Sequence, residues 1–195
     1  MMINWQARQL NLKVVYYGPA LSGKTTNLEQ IHQRVDPGRR SELLSLKTNE
    51  DRTLFFDFFQ LELGKICGLT PNIALYTVPG QSYYEASRRL VLRGTDGVVF
   101  VADSNSARMD DNLLAWLNMF QHLHDLSLPI ENMPVVVQYN KRDCENALPV
   151  SDIKNVLGSS KYPGFEATAL EGKGVFDTFK TIINGVLLQV QKNLR

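Results

Sequence analysis

GPALSGKT, residues 18–25, stands between the apolar run LKVVYYG (12–18) and a stretch of helical character reaching Arg34. It fits the pattern GxxxxGK(S/T), and a strand before it and a helix after it are the context in which that pattern wraps phosphates. The glycines, Gly18 and Gly23, let the backbone curl so that N–H groups over Ala20, Leu21, Ser22, Gly23, Lys24, Thr25 and Thr26 converge on phosphate oxygens. Lys24 brings a point charge to the outer phosphates, in binding and in catalysis, and the Thr25 hydroxyl is a ligand for Mg2+. The ligand this implies is a nucleoside triphosphate; the plain alternative is a Gly-rich turn ahead of a helix.

Around the loop, apolar strands alternate with amphipathic helices. Strands are predicted at 12–18, LFFDFFQLEL (54–63), IALYTV (73–78), VVFVAD (98–103), VVVQ (135–138) and FEAT (165–168). Helices fill the intervals: Lys24 to Arg34, Tyr83 to Arg93, one starting near Asp110 and Asp111 with Leu113, Leu117, Phe120 and Leu123 on one face, a short one from Val150 to Leu157, and a last one facing Phe176, Phe179, Ile183, Val186 and Val190 inward. Such alternation predicts an α/β fold, a mainly parallel central sheet with helices on both faces. Residues 54–78 are the exception, because only GKICGLTPN separates two strands, which predicts a hairpin and one antiparallel edge strand. The 195 residues suit one domain, 1–195.

Composition narrows the class. With 21 basic and 20 acidic residues the net charge of +1 gives no whole-molecule field for nucleic acid or an anionic membrane. Cys67 and Cys144 are far apart and have neither Cys nor His at metal spacing, which fits a reducing cytoplasm. The start, MMINWQARQL, lacks an apolar signal core, no segment approaches the ~20 apolar residues of a bilayer span, and neither end carries a lipidation motif. A soluble, cytoplasmic protein without an intrinsic membrane anchor is expected, any membrane visit requiring a partner.

NKRD, residues 140–143, follows the strand VVVQ and addresses the base. The Asp143 carboxylate suits guanine, accepting from N1–H and the exocyclic amine, whereas adenine offers an acceptor at that ring nitrogen and no amine beside it. Asn140 pins the loop and the Lys141 stem covers the base face. After the last predicted strand, TALEGKGV (168–175) brings Thr168, Ala169 and Leu170 to the same end, with the Ala169 N–H placed to complete the base pocket.

Taken together, YYGPALSGKTTNL, EDRTLFFDF, LYTVPGQ, LRGTDGVVFVADS, NKRD and EGKGVF resemble the Ras-like small GTPases, and within them the bacterial mutual-gliding protein A group, over nearly the whole chain. The resemblance implies a Ras-like P-loop GTPase fold, GTP/GDP and Mg2+ as ligands, and hydrolysis by positioning and charge stabilisation. Ordinary Ras-like proteins carry DxxGQ after the third strand, where the Asp holds a water on the metal; here the run is Thr77, Val78, Pro79, Gly80, Gln81, as in the gliding group. Mg2+ keeps several waters and needs few direct protein ligands, so the Thr77 hydroxyl acting through a water is expected to stand in for the acid, with weaker metal affinity.

By the same resemblance Thr53 is a direct metal ligand, Gly80 contacts the γ-phosphate and Gln81 orients the attacking water. Arg52 is either an internal arginine finger or a solvated cation beside Glu50 and Asp51, and Thr53 has a strand-capping alternative. The group usually has Gly where this chain has Ala20; a methyl there intrudes on the space of Gln81 and the γ-phosphate and is expected to slow hydrolysis. A roadblock-fold activator of the mutual-gliding protein B type is the implied partner, and cell polarity or surface motility, with recruitment to a pole or membrane, the implied setting.

LFFDFFQ (54–60) is either an exposed apolar edge for such a partner or simply core. His32, His122, His124 and Trp116 fit helix packing. Three readings compete: a GTP-dependent switch timed by hydrolysis, a nearly non-hydrolysing GTP scaffold favoured by Ala20 and Thr77, and an ATP-dependent phosphotransferase, against which NKRD speaks.

Overall fold

The computed structural model describes residues 2–46, 56–66, 68–80 and 84–193. Its strands are β1 (Met2–Asn4), β2 (Gln9–Tyr17), β3 (Leu44–Leu46), β4 (Phe56–Glu62), β5 (Thr70–Thr77), β6 (Gly97–Asp103), β7 (Val135–Asn140) and β8 (Gly164–Glu166). The helices are α1 (Lys24–Arg34), α2 (Glu85–Leu92), α3 (Met109–Asp125), α4 (Val150–Leu157) and α5 (Val175–Asn193). One sheet runs β3-β4-β5-β2-β6-β7-β8, with β1 paired to β2. The pairs from β5 through β2, β6 and β7 to β8 are parallel, and β4 lies antiparallel to β5.

Burial follows from this layering. Every residue of GVVFVAD in β6 and of VVVQYN in β7 is buried, as strands covered on both faces must be. On one face α1 and α5 set Leu28, Ile31, Phe179, Ile182 and Val186 against Leu12, Val14, Ile73 and Leu75. On the other, Leu92, Trp116, Met119, Leu123, Ile153 and Leu157 cover Val15, Val98, Phe100 and Val137. Trp116 makes edge contacts with Phe100, Phe120 and Tyr162, and His122, also buried, faces the Tyr17 hydroxyl across 3.2 Å, so both are packing residues.

Several boundaries move. β5 starts at Thr70 rather than 73, because Pro71, which reads as a turn residue, pairs with Leu10 and uses only its carbonyl, accepting from Leu63 N at 2.9 Å. β8 stops at Glu166, since Thr168 turns away to bridge with Lys173. Along α3 the inward stripe is Asn112, Trp116, Met119 and Leu123, while Leu117 is 58 % exposed; Asn112 holds the inward position because its amide bonds both N–H and C=O of Asp103. β1 and β3, three residues each, are too short to show a period in the sequence. β3 pairs with the outer side of β4, which therefore lies one strand in from the edge. Phe59 is core, and Phe56 and Phe58 lie half-buried against Tyr76 on the opposite face.

β6 lies close under α5 at Gly97, where an added Cβ would stand 2.6 Å from Val186 Cγ2 and 3.1 Å from Ile182 Cδ1. Gly97→Val is expected to cost about 1–3 kcal/mol by overpacking and to lower Tm by roughly 2–12 °C in calorimetry. An unchanged Tm would show that α5 has room to shift.

Candidate functional site

β2 leads to α1 on one face of the sheet and its neighbour β6 leads to α3 on the other, so a crevice opens beyond their carboxyl ends. The loop 18–25 lies there. Gly18, at φ 148°, passes so near β6 that a Cβ would stand 2.3 Å from Val101 O; Gly23, at φ 98°, leaves 2.2 Å between such an atom and Asn140 Nδ2. α1 begins at Lys24 without a side-chain cap, leaving the first-turn N–H groups and the positive helix end for an anion. Lys24 Nζ donates to Gly18 O at 3.0 Å and Pro19 O at 2.6 Å. Burial pushes this ammonium down to about 7; Asp57 opposes the shift, and Arg88, Arg108 and Lys141 add to it. The buried Ser22 Oγ has no partner among the described residues. A cationic cradle of this kind, with an orphaned hydroxyl, fits phosphate oxygens.

At the start of α1 stands a cluster of oxygens suited to a hard cation. Thr25 Oγ1 donates to Asp57 Oδ2 at 2.5 Å. Thr77 Oγ1 donates to the same oxygen at 3.1 Å and accepts from Asp57 N at 2.8 Å. Ser45 Oγ donates to Asp57 Oδ1 at 2.6 Å. Thr25 and Thr77 thus come together, but through a carboxylate of β4. Thr53, Arg52 and Gln81 lie outside the described residues.

Gly80 packs on the loop: a Cβ there would stand 2.4 Å from both N and Cα of Ala20. From the far side Arg108 Nη2 donates to Ala20 O at 2.8 Å while Nη1 pairs with Asp111 at 2.6 Å. A cavity of about 240 Å³ lies between Pro19, Ala20, Gly80 and α3.

At the other end Asn140 is buried as the last residue of β7. Its Nδ2 donates to Ser22 O at 2.8 Å and its Oδ1 accepts from Ala169 N at 2.9 Å. The Ala169 N–H, expected to complete the base pocket, donates here to Asn140, because a buried amide oxygen requires a donor. Lys141 takes φ 63° and donates Nζ to the buried Asp103 Oδ2 at 2.7 Å. Asp143 is exposed and makes no hydrogen bond or ion pair among the described residues. Thr168 is buried beside Ala169, and Leu170 is exposed, its carbonyl accepting from Gln30.

The sequence reading missed Asp57, Asp103 and Arg108. Asp57 carried a signal: with Phe59 and Leu61 it occupies alternate positions of one strand, so it faces the core with them. Asp103 ends an otherwise wholly apolar strand, which marks it too. Nothing local distinguishes Arg108.

A profile of the Ras family matches residues 45–188. The mutual gliding-motility protein MglA of Myxococcus xanthus is 46% identical over 190 residues, 97% of each chain. The Ras-related protein Rab7 of Pisum sativum is 29% identical over 185 residues, 92% of this chain and 84% of its own, and the ADP-ribosylation factor-related protein 1 of Bos taurus is 25% identical over 187 residues, 92% of this chain and 87% of its own.

A lysine held at about 7 gains opposite charge when phosphates arrive, which returns its affinity for a proton toward the ordinary range. Nucleoside diphosphate binding is expected to take up close to one proton above pH 7, with affinity falling by up to about tenfold per pH unit over that range. Titration calorimetry at pH 8.5 in buffers of different ionisation enthalpy measures the uptake, and a value near zero would contradict it.

Proposed function

The chain belongs to the Ras family and is a small GTPase, a hydrolase; from that premise we propose that residues 1–195 act as one G domain, a guanine-specific switch that hydrolyses GTP to GDP with Mg2+, slowly by itself and faster with an activating partner. The observation that carries guanine specificity is the link from the phosphate loop to the base end: Asn140 fastens Ser22 O, and Asp143, three residues on, keeps its carboxylate exposed and without a hydrogen bond or ion pair among the described residues, Lys173 acting on it only through charge. Phosphates lie over Gly18, Ala20, Leu21, Ser22, Gly23, Lys24, Thr25 and Thr26, and the base lies among Lys141, Asp143, Thr168, Ala169 and Leu170. The oxygen cluster of Thr25, Asp57 and Thr77 supports Mg2+, which when bound neutralises phosphate charge. Gln81 orients the attacking water, Gly80 meets the γ-phosphate, Thr53 is the remaining metal ligand and Arg52 is the internal finger.

The partner class rests on likeness to a protein named for mutual gliding motility, which supports a roadblock-fold activator of the mutual-gliding protein B type and a role in cell polarity or surface motility. Among the described residues no helix is long and apolar enough to cross a membrane, and recruitment to a pole or membrane through partners is part of the proposal.

Slow turnover rests on Ala20, whose backbone is wedged between Gly80 and Arg108. Ala20→Gly is expected to hydrolyse GTP about ten- to a hundredfold faster in single turnover; equal rates would show that the methyl is accommodated, and GTP persisting in both proteins even with an activator would favour the scaffold reading. The nucleotide released on denaturing the purified protein tests guanine binding. Asp143→Asn, which turns an acceptor into a donor, is expected to lower GDP affinity by roughly 10²-fold or more and to favour xanthosine diphosphate; equal GDP affinity in a displacement titration would remove Asp143 from the base site.

A further inference from the structure

The carboxylate missing after β5 has a counterpart one strand away. Asp57 is only 8 % exposed and faces inward with Phe59 and Leu61, at the end of that face nearest α1. A carboxylate among apolar side chains is costly unless hydrogen-bonded and paired with positive charge. Here three hydroxyls donate to it, from Thr25, Ser45 and Thr77, and no ammonium or guanidinium stands at ion-pair distance among the described residues. Lys24 acts on it, with its Nζ held by the carbonyls of Gly18 and Pro19. Among the described residues the charge is solvated by hydroxyls and lacks a contact cation, and it sits one hydrogen bond from the phosphate-loop threonine.

We propose that Asp57 is the acidic residue of the magnesium site, supplied by β4 instead of by the segment after β5. The inference rests on reading the chain as a magnesium-using GTPase. A hydroxyl oxygen that ligates a cation does so through a lone pair, and its proton, made more acidic, needs an acceptor; Asp57 Oδ2 is that acceptor for Thr25. The lone pairs left on the carboxylate accept from water held by the metal, the outer-sphere role magnesium sites commonly give a carboxylate. Thr77 then braces Asp57: its hydroxyl donates to the side chain and accepts from the backbone N–H of this one residue, fixing both. A threonine at 77 fits because β4 already brings a carboxylate to that place, and an acid there would crowd a second negative charge against Asp57.

The test follows release of fluorescent methylanthraniloyl-GDP from the full chain as free Mg2+ is varied. In the parent protein Mg2+ is expected to slow release, and Asp57→Asn is expected to move the Mg2+ midpoint upward by about 10- to 100-fold. An unchanged midpoint overturns the proposal, as does a lower one, which would mean that the carboxylate competes with the metal. If the parent protein binds no guanine nucleotide, the GTPase reading itself fails; tight binding with no Asp57 effect sinks this inference alone. If Asp57→Asn does not fold, a crystal structure of the parent chain with GDP and Mn2+, the metal located by anomalous scattering, decides: Asp57 in hydrogen-bond reach of a metal-bound water is the expected result, and a carboxylate remote from the metal's water shell overturns it.

Discussion

The side-chain amide of Asn140 is the tie on which the site depends. β7 is buried along its whole length and paired on both sides, so its last residue has a fixed position and direction. From there Asn140 holds the phosphate loop at Ser22 O and the segment after β8 at Ala169 N. The same amide explains Gly23, since its Nδ2 occupies the space a Cβ would need. Two positions earlier on the same face, Gln138 exchanges hydrogen bonds of 2.7 and 2.8 Å with Asn27 and donates to Thr178 at 3.1 Å, joining α1, β7 and α5. A buried polar ladder of this kind is favourable only when fully satisfied, and so it specifies one arrangement of the two helices over the sheet.

The two ends of the site answer to different physics. At the phosphate end the loop is shaped by close approach and positive φ, and its charge comes from a desolvated lysine. At the base end stands the exposed carboxylate of Asp143, which on the reading proposed above selects by hydrogen-bond pattern. Between them Lys141 reaches back to buried Asp103, which balances a charge the sheet would otherwise leave alone. The two ends thus rest on separate residues linked through one amide.

What could be read from the sequence follows from what is local. The loop 18–25, NKRD and the strand-helix alternation are continuous stretches whose residue types are dictated by backbone approach or by period, and they lie where the pattern put them. The inward stripe of α3 was misread because Leu117 fits the period but Asn112, a polar residue, has the stronger hold through Asp103. Pro71 hid the start of β5 for the opposite reason, a turn-former lying where only its carbonyl is needed. Asp57 and Ser45 depend on antiparallel pairing between segments whose mutual register no single stretch encodes.

Three side chains grip the phosphate loop by its carbonyls: Lys24 at Pro19, Arg108 at Ala20 and Asn140 at Ser22. A trans amide is a rigid plate on which oxygen and hydrogen point to opposite sides. Fastening each oxygen therefore aims the hydrogen of the following residue, at Ala20, Leu21 and Gly23, the other way. Arg108 and Asn140 orient the cup's lining without having to meet what the cup holds.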